Sequence, residues 1–254
     1  MKAPPALARA VLTTGGLALL TVRAFRALLT PPWRIGRWVA EAEQIGWRSL
    51  GVASITAIFT GMVLALQTAY SLPSLGVKYY IGTVVSKSIV RELGPVLTAL
   101  IVGGRIGAGM TAELGTMKVT EQIDALRSMA ADPVKRLVAP KLAASLLMLP
   151  VLTLIGDLLG VTGGLVIAVL QLNLTAGFYL NDVVTALTLG DLFSGLGKSF
   201  FFAYAIAIIA CYNGLQTRGG ADGVGRSTTD TVVMASITVL VLDFFLTKLF
   251  HIAF

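Results

Sequence analysis

The chain has 254 residues, of which 56% are hydrophobic and only 13% charged, where a soluble domain carries about 25% charged residues. With a mean hydropathy of +0.83, that deficit excludes an ordinary soluble globular protein and points to an integral membrane protein. The net charge of +7 is read against the positive-inside rule rather than as a nucleic-acid surface, and one cysteine (Cys211) with one histidine (His251) is too sparse for a disulfide or a protein metal site.

In chain order, the first element is a helix over 6–29, where Arg9, Arg23 and Arg26 bracket an apolar stretch. That stretch is short for a span, which needs about 20 residues. It predicts a helix lying in the cytoplasmic interface, ended at Pro31-Pro32, with a sixth span as the alternative reading. Five apolar segments then predict spans over roughly 50–70, 80–110, 142–170, 192–213 and 231–252. The organisation is an interfacial helix and connector over 1–48 and one all-helical transmembrane domain over 49–254. Lys and Arg gather before the first span, between the second and third (Lys118, Arg127, Lys135, Arg136), and between the fourth and fifth (Arg218, Arg226). This predicts an N-terminus in the cytoplasm and a C-terminus outside.

The second span carries "KSIVRELGPVLTALIVGGRIGAG" (87–109). Its charge-free run, 93–104, is about 18 Å of helix, too short for a core of about 30 Å. Arg91 and Glu92 therefore fall inside the boundary. Lys87 lies one turn before Arg91, and Glu92 is the nearest counter-charge for the two cations. Pro95 removes the helical partner of the Arg91 carbonyl, which predicts a kink against protein or a wet cavity. The stretch reads either as a structural ion pair or as the polar lining of a cavity that handles a charged or zwitterionic headgroup.

Gly103 and Gly107, Gly104 and Ala108, and Gly160 and Gly164 form small-xxx-small pairs, which permit close helix approach in lipid. In "KVTEQIDALRSMAADP" (118–133), Thr120 suits an N-cap and Ile123, Leu126 and Met129 make one apolar stripe. The stretch predicts a short cytoplasmic helix ended at Asp132-Pro133, resting on the bilayer or docking a partner. "GLGKS" (195–199) lacks the glycine a phosphate loop needs, which is Leu192 here. No catalytic set or cofactor site is expected in this chain. Asp157 and Asp243 stand isolated within spans as packing contacts or proton relays.

"GMVLALQ" (61–67), "RELGPVLTALIVGGRIGAGMTAELGTMKVTEQIDAL" (91–126), "DPVKRLVAPK" (132–141) and "VLVLDFFLT" (239–247) resemble the MlaE/YrbE permease family, membrane subunits of ABC transporters that work with MCE-domain proteins. The resemblance implies a homodimer in the bacterial inner membrane, or less readily a plastid inner envelope. It implies a cytoplasmic MlaF-like ATPase that uses ATP and Mg, a periplasmic MlaD-like MCE protein, and phospholipid or a related lipid as substrate. By position, Arg91, Glu92, Leu93, Leu64 and Leu72 would line the lipid cavity. Glu113, Thr120, Glu121, Asp124, Arg127 and Asp132 would serve ATPase coupling, with 120–131 as the coupling helix. A proton-coupled secondary transporter and a non-transporting membrane scaffold for an MCE ring are the other classes.

Overall fold

The computed structural model describes residues 6–31, 35–71 and 80–253. Every regular element among them is helical: α1 (Ala6–Leu29), α2 (Ile35–Ser71), α3 (Ile81–Ser88), α4 (Gly94–Val119), α5 (Gln122–Ser128), α6 (Ala139–Leu170), α7 (Ala176–Ala186), α8 (Leu189–Gln216) and α9 (Gly220–Ala253). Two π-helical turns, Ile89–Leu93 and Val134–Val138, precede α4 and α6. Six helical stretches are long and apolar enough to cross a membrane, the five expected segments and Val11–Leu29 of α1. By length and composition, then, α1 also qualifies as a span.

The helices overrun their predicted ends. α2 starts at Ile35 rather than near residue 50, because 35–49 contains no proline and its polar residues are compatible with a helix. At 37 residues it is about 55 Å long, well over the hydrocarbon thickness of about 30 Å. α7 had no counterpart in the sequence reading. It is capped by Thr175, whose hydroxyl accepts from the Phe178 N–H.

The chain packs as two compact units. One comprises Met1–Ile45, Gly104–Leu146 and Ala203–Thr238. Its core joins Leu20 and Ala24 of α1 with Leu114, Ile123, Leu142, Ile208 and Cys211. The other comprises Gly46–Gly103, Leu147–Phe202 and Val239–Phe254. Its core joins Ala65 and Ala69 of α2 with Val85, Ile89, Ile167 and Tyr179. Tyr179 from α7 donates to the Val161 carbonyl (3.1 Å), and Asp182 of α7 accepts from the Thr83 N–H at the start of α3 (2.8 Å). In the second unit α2 and α6 approach backbone to backbone. A Cβ on Gly61 would overlap the Gly160 carbonyl, and one on Gly163 the Ile58 carbonyl.

The other glycines sit differently. Gly164 faces the Tyr179 hydroxyl (2.6 Å from an ideal Cβ). An added methyl at Gly107 would meet Ile206 and Thr231 at 3.5 Å and one at Gly104 would meet Val232 at 3.8 Å, both ordinary van der Waals contact. Gly103 is buried and Ala108 half-buried.

Candidate functional site

Residues 89–95 depart from a regular helix for a local reason. Pro95 has no N–H, so one helical bond must be lost there. The chain shifts to a π-helical turn over Ile89–Leu93, with the Gly94 N–H donating to the Ile89 carbonyl. One extra residue is taken into the turn. The expected kink thus takes the form of a π turn that ends directly before Gly94-Pro95.

The expected pairing of Arg91 with Glu92 is corrected. Neighbours on a helix point about 100° apart, and the two side chains part company. The Arg91 guanidinium pairs with Asp191 at 3.4 Å. Glu92 pairs with Lys198 of α8. The Lys198 ammonium, with no exposed side-chain surface, also lies 3.2 Å from Asp243 and donates to the Thr247 hydroxyl at 2.6 Å. Thr247 in turn donates to Glu92 (3.2 Å). Asp243 is therefore a member of a charge cluster rather than an isolated acid. Lys198, the lysine of the rejected "GLGKS", is the residue the sequence reading missed. Its signal was plain in retrospect: a lysine within an apolar span demands a partner. Asp157 is buried, its Oδ1 without a hydrogen-bond partner among the described residues. It packs on Gly94, where any side chain would collide with the carboxylate.

Beside the π turn runs an apolar groove. Its deep end is lined by Ala53, Thr56, Thr60, Leu93, Leu97 and Thr98. The more open end adds Phe59, Val63, Leu64 and Gln67. Thr56, Thr60 and Leu93 belong to both. No titratable side chain is in the lining, and the Thr56 hydroxyl is already spent on the Val52 carbonyl (2.8 Å). Of the five proposed lipid-cavity residues, the structure brings Leu64 and Leu93 together here. Arg91 and Glu92 turn to the ion pairs above. Leu72 lies outside the described residues.

The loop helix is shorter than expected. Thr120 is not its N-cap, because its hydroxyl donates back to the Thr116 carbonyl (2.8 Å). The cap position belongs to Glu121, in the left-handed region at φ 60° and without a side-chain cap bond. The helix also stops before Asp132-Pro133. Ala130 turns left-handed at φ 55°, and the Ala131 N–H reaches back to the Leu126 carbonyl (3.0 Å), a Schellman closure. Ile123 is fully buried and anchors the helix. On the exposed side, Asp124 accepts from Lys118 (2.8 Å) and Arg127 (2.9 Å). The Lys118 hydrogen bond, helped by the Lys118 and Arg127 charges, holds the Asp124 carboxyl below its ordinary range against the opposing effect of desolvation. A depressed carboxyl contributes above its unfolded pKa, so this ion pair is intact at neutral pH and is lost on acidification through the carboxylate range. Asp132 accepts from the Val134 N–H (2.9 Å) and so caps the next helix instead.

Glu113 stands apart from that loop. It lies on α4 and, with Glu41 of α2, holds the buried Lys141 of α6 at 2.6 and 2.8 Å. Three helices are tied by one ammonium. Lys141→Met is expected to lower stability by about 3 kcal/mol, the low end for breaking a buried pair, because the Glu113 side chain is 45% exposed and rehydrates. Lys141→Arg should recover most of it. Thermal melts of the two variants in detergent provide the measurement, and equal loss in both would remove the clasp as a stabilising element.

An all-helical membrane chain with an apolar groove, and with two buried lysines each held by two carboxylates, has relatives. The family model described as Permease MlaE matches residues 38–249. A probable ABC transporter permease protein of Rickettsia typhi is 42% identical over 237 residues, 93% of this chain and 92% of the relative. One from Synechocystis is 44% identical over 209 residues, covering 82% and 80% of the two chains. The chloroplastic protein TRIGALACTOSYLDIACYLGLYCEROL 1 of Arabidopsis thaliana is 38% identical over 218 residues, 86% of this chain and 62% of the relative. The match takes in the groove, the π turn, the loop helix and both lysine clusters alike, and the chain belongs to the MlaE permease family.

Proposed function

We propose that this ABC transporter permease moves phospholipid, or a related lipid, between the inner membrane and a periplasmic MCE-domain partner. It works as a homodimer and is driven by a separate cytoplasmic ATPase that consumes ATP with Mg. In this reading α1 lies in the interface and the other five long helices span, with the N-terminus inside and the C-terminus outside. α5 is the element the ATPase pushes, with Glu121, Asp124 and Arg127 on its accessible side.

The observation that carries the reading is the groove along α2. It is predominantly apolar, has no charged lining and accepts an acyl chain far better than a hydrophilic solute. The name of the Arabidopsis relative, which is that of a glycolipid, supports a lipid substrate.

The test is lipid mass spectrometry on the chain purified together with its ATPase. Wild type should carry phospholipid in about stoichiometric amount. Thr60→Trp, which fills the groove where its two ends meet, should carry less than half as much, whereas Thr185→Trp on the exposed side of α7 should carry the wild-type load. Undiminished phospholipid in Thr60→Trp, or none in wild type, would remove the groove as the lipid site.

A further inference from the structure

The other packing unit holds a recess of opposite chemistry, about 360 Å³ in volume. It is formed by the end of α1 (Ala27), the start of α2 (Trp38), the turn after α5 (Asp132) and the first residues leading into α6 (Lys135, Arg136, Pro140). Its elements are tied together by backbone contacts. Lys135 Nζ donates to the Pro31 carbonyl (2.8 Å), and Arg37 Nη1 donates to the Arg136 carbonyl (3.1 Å). Two cations, Lys135 and Arg136, thus line the cavity against a single lining carboxylate, Asp132, which accepts from the Val134 N–H.

Arg136 is half-buried, and its guanidinium makes no ion pair or side-chain hydrogen bond among the described residues. A guanidinium has five donors in a planar fork, and half-burial costs it hydration that no described residue returns. Lys135 has only a neutral carbonyl as partner. The recess therefore has an excess of positive charge and a free bidentate donor, whose natural complement is a phosphate group. Its floor is apolar (Ala27, Ala139, Pro140) and Trp38 stands at its side, an amphipathic ring of the kind that sits at headgroup level.

We infer that this recess binds the phosphate of an anionic phosphate ester, either a phospholipid headgroup or free phosphate. The apolar floor and the indole favour the headgroup, since they receive the glycerol and first acyl carbons that free phosphate lacks. The site is separate from the groove along α2 and does not depend on what that groove carries. Because Met129, Ala130 and Ala131 after α5 form one wall, occupancy braces the turn that ends the loop helix. The anionic lipid is thereby a regulator of the permease rather than its cargo.

The chain purified in a neutral detergent, without partners, is melted with short-chain phosphatidylglycerol, with phosphatidylcholine of the same chain length, or with inorganic phosphate. Phosphatidylglycerol near a hundred times its Kd should raise Tm by about 5 °C, and phosphatidylcholine by much less. Lys135→Gln combined with Arg136→Gln should abolish the shift, while Arg226→Gln on α9 should keep it. If the double variant does not fold, Arg136→Lys serves instead. It keeps the charge and loses the fork, and should need about tenfold more lipid for the same shift. Equal protection by inorganic phosphate would overturn the lipid as the source. Equal protection by phosphatidylcholine, protection retained in the double variant, or unchanged lipid demand in Arg136→Lys would overturn the site itself.

Discussion

Glu92→Gln together with Asp243→Asn is expected to destabilise this protein more than removal of Lys198, the residue both carboxylates hold. The asymmetry follows from exposure. The Lys198 side chain is fully buried, while those of Glu92 and Asp243 are 40% and 23% exposed. Neutralising both acids leaves the ammonium with neutral acceptors only, the new amide oxygens and the Thr247 hydroxyl. A stranded buried charge costs about 3–5 kcal/mol, roughly 6–20 °C in Tm for a chain of this size. Lys198→Met strands two carboxylates instead, but Glu92 relaxes toward the exposed side and loses less. The triple variant, with all three charges removed, should recover most of the loss, because desolvation and attraction vanish together. Arg91→Gln breaks a 3.4 Å pair whose Asp191 is buried, but Asp191 keeps the Thr188 N–H and hydroxyl, so the loss should be about 1 kcal/mol. It should also add independently to Glu92→Gln. Melting temperatures and monodisperse yields of the variants decide it. Rescue of Glu92→Gln by Arg91→Gln would restore the sequence-based pair and displace Lys198 as the partner.

That experiment marks where the sequence stopped being informative. The apolar segments were readable because a bilayer demands about 20 apolar residues in a row, and each reappears inside a longer helix. The overrun of α2 was not, since the polar residues 35–49 are neutral on whether a helix continues through them. Arg91 and Glu92 were singled out correctly as costly charges, yet matched with each other by adjacency. Their partners lie 100 and more residues away, Asp191 and Lys198, and only the packing of α8 on the π turn brings them in. Composition could say that Lys198 needed a partner; no local pattern could say which. The Lys141 clasp was missed for the same reason, since Glu41 and Glu113 come from two other helices. Capping chemistry failed at Thr120 because a threonine hydroxyl has two local outlets, the cap and the carbonyl one turn back, and here it takes the second.

The glycines give the other large expected effect. Gly61→Ala and Gly163→Ala should each cost at least about 1–3 kcal/mol, the usual range for forcing atoms into a packed interface, and sharply lower the yield of folded protein. The atom each new methyl meets is a backbone carbonyl, of Gly160 and of Ile58, and a backbone has no rotamer to escape into. α2 and α6 must therefore separate along their contact in this unit. In lipid that contact is not replaced by a hydrophobic gain elsewhere, since close backbone approach is itself what holds the helices. Gly107→Ala is the opposing case. Its methyl would reach ordinary contact with Ile206 and Thr231 at 3.5 Å, while alanine is favoured over glycine within a helix by about 1 kcal/mol. It should be neutral or stabilising, although the small-xxx-small pattern scores Gly107 and Gly160 alike. The same comparison reaches function, because α2 carries Thr56, Thr60 and Leu64 along the groove. Whatever Gly61→Ala protein does fold should hold its groove wall displaced and carry less phospholipid, and Gly107→Ala protein should carry the wild-type load. Normal melting and lipid content in Gly61→Ala would mean that the α2–α6 crossing neither stabilises the fold nor shapes the groove.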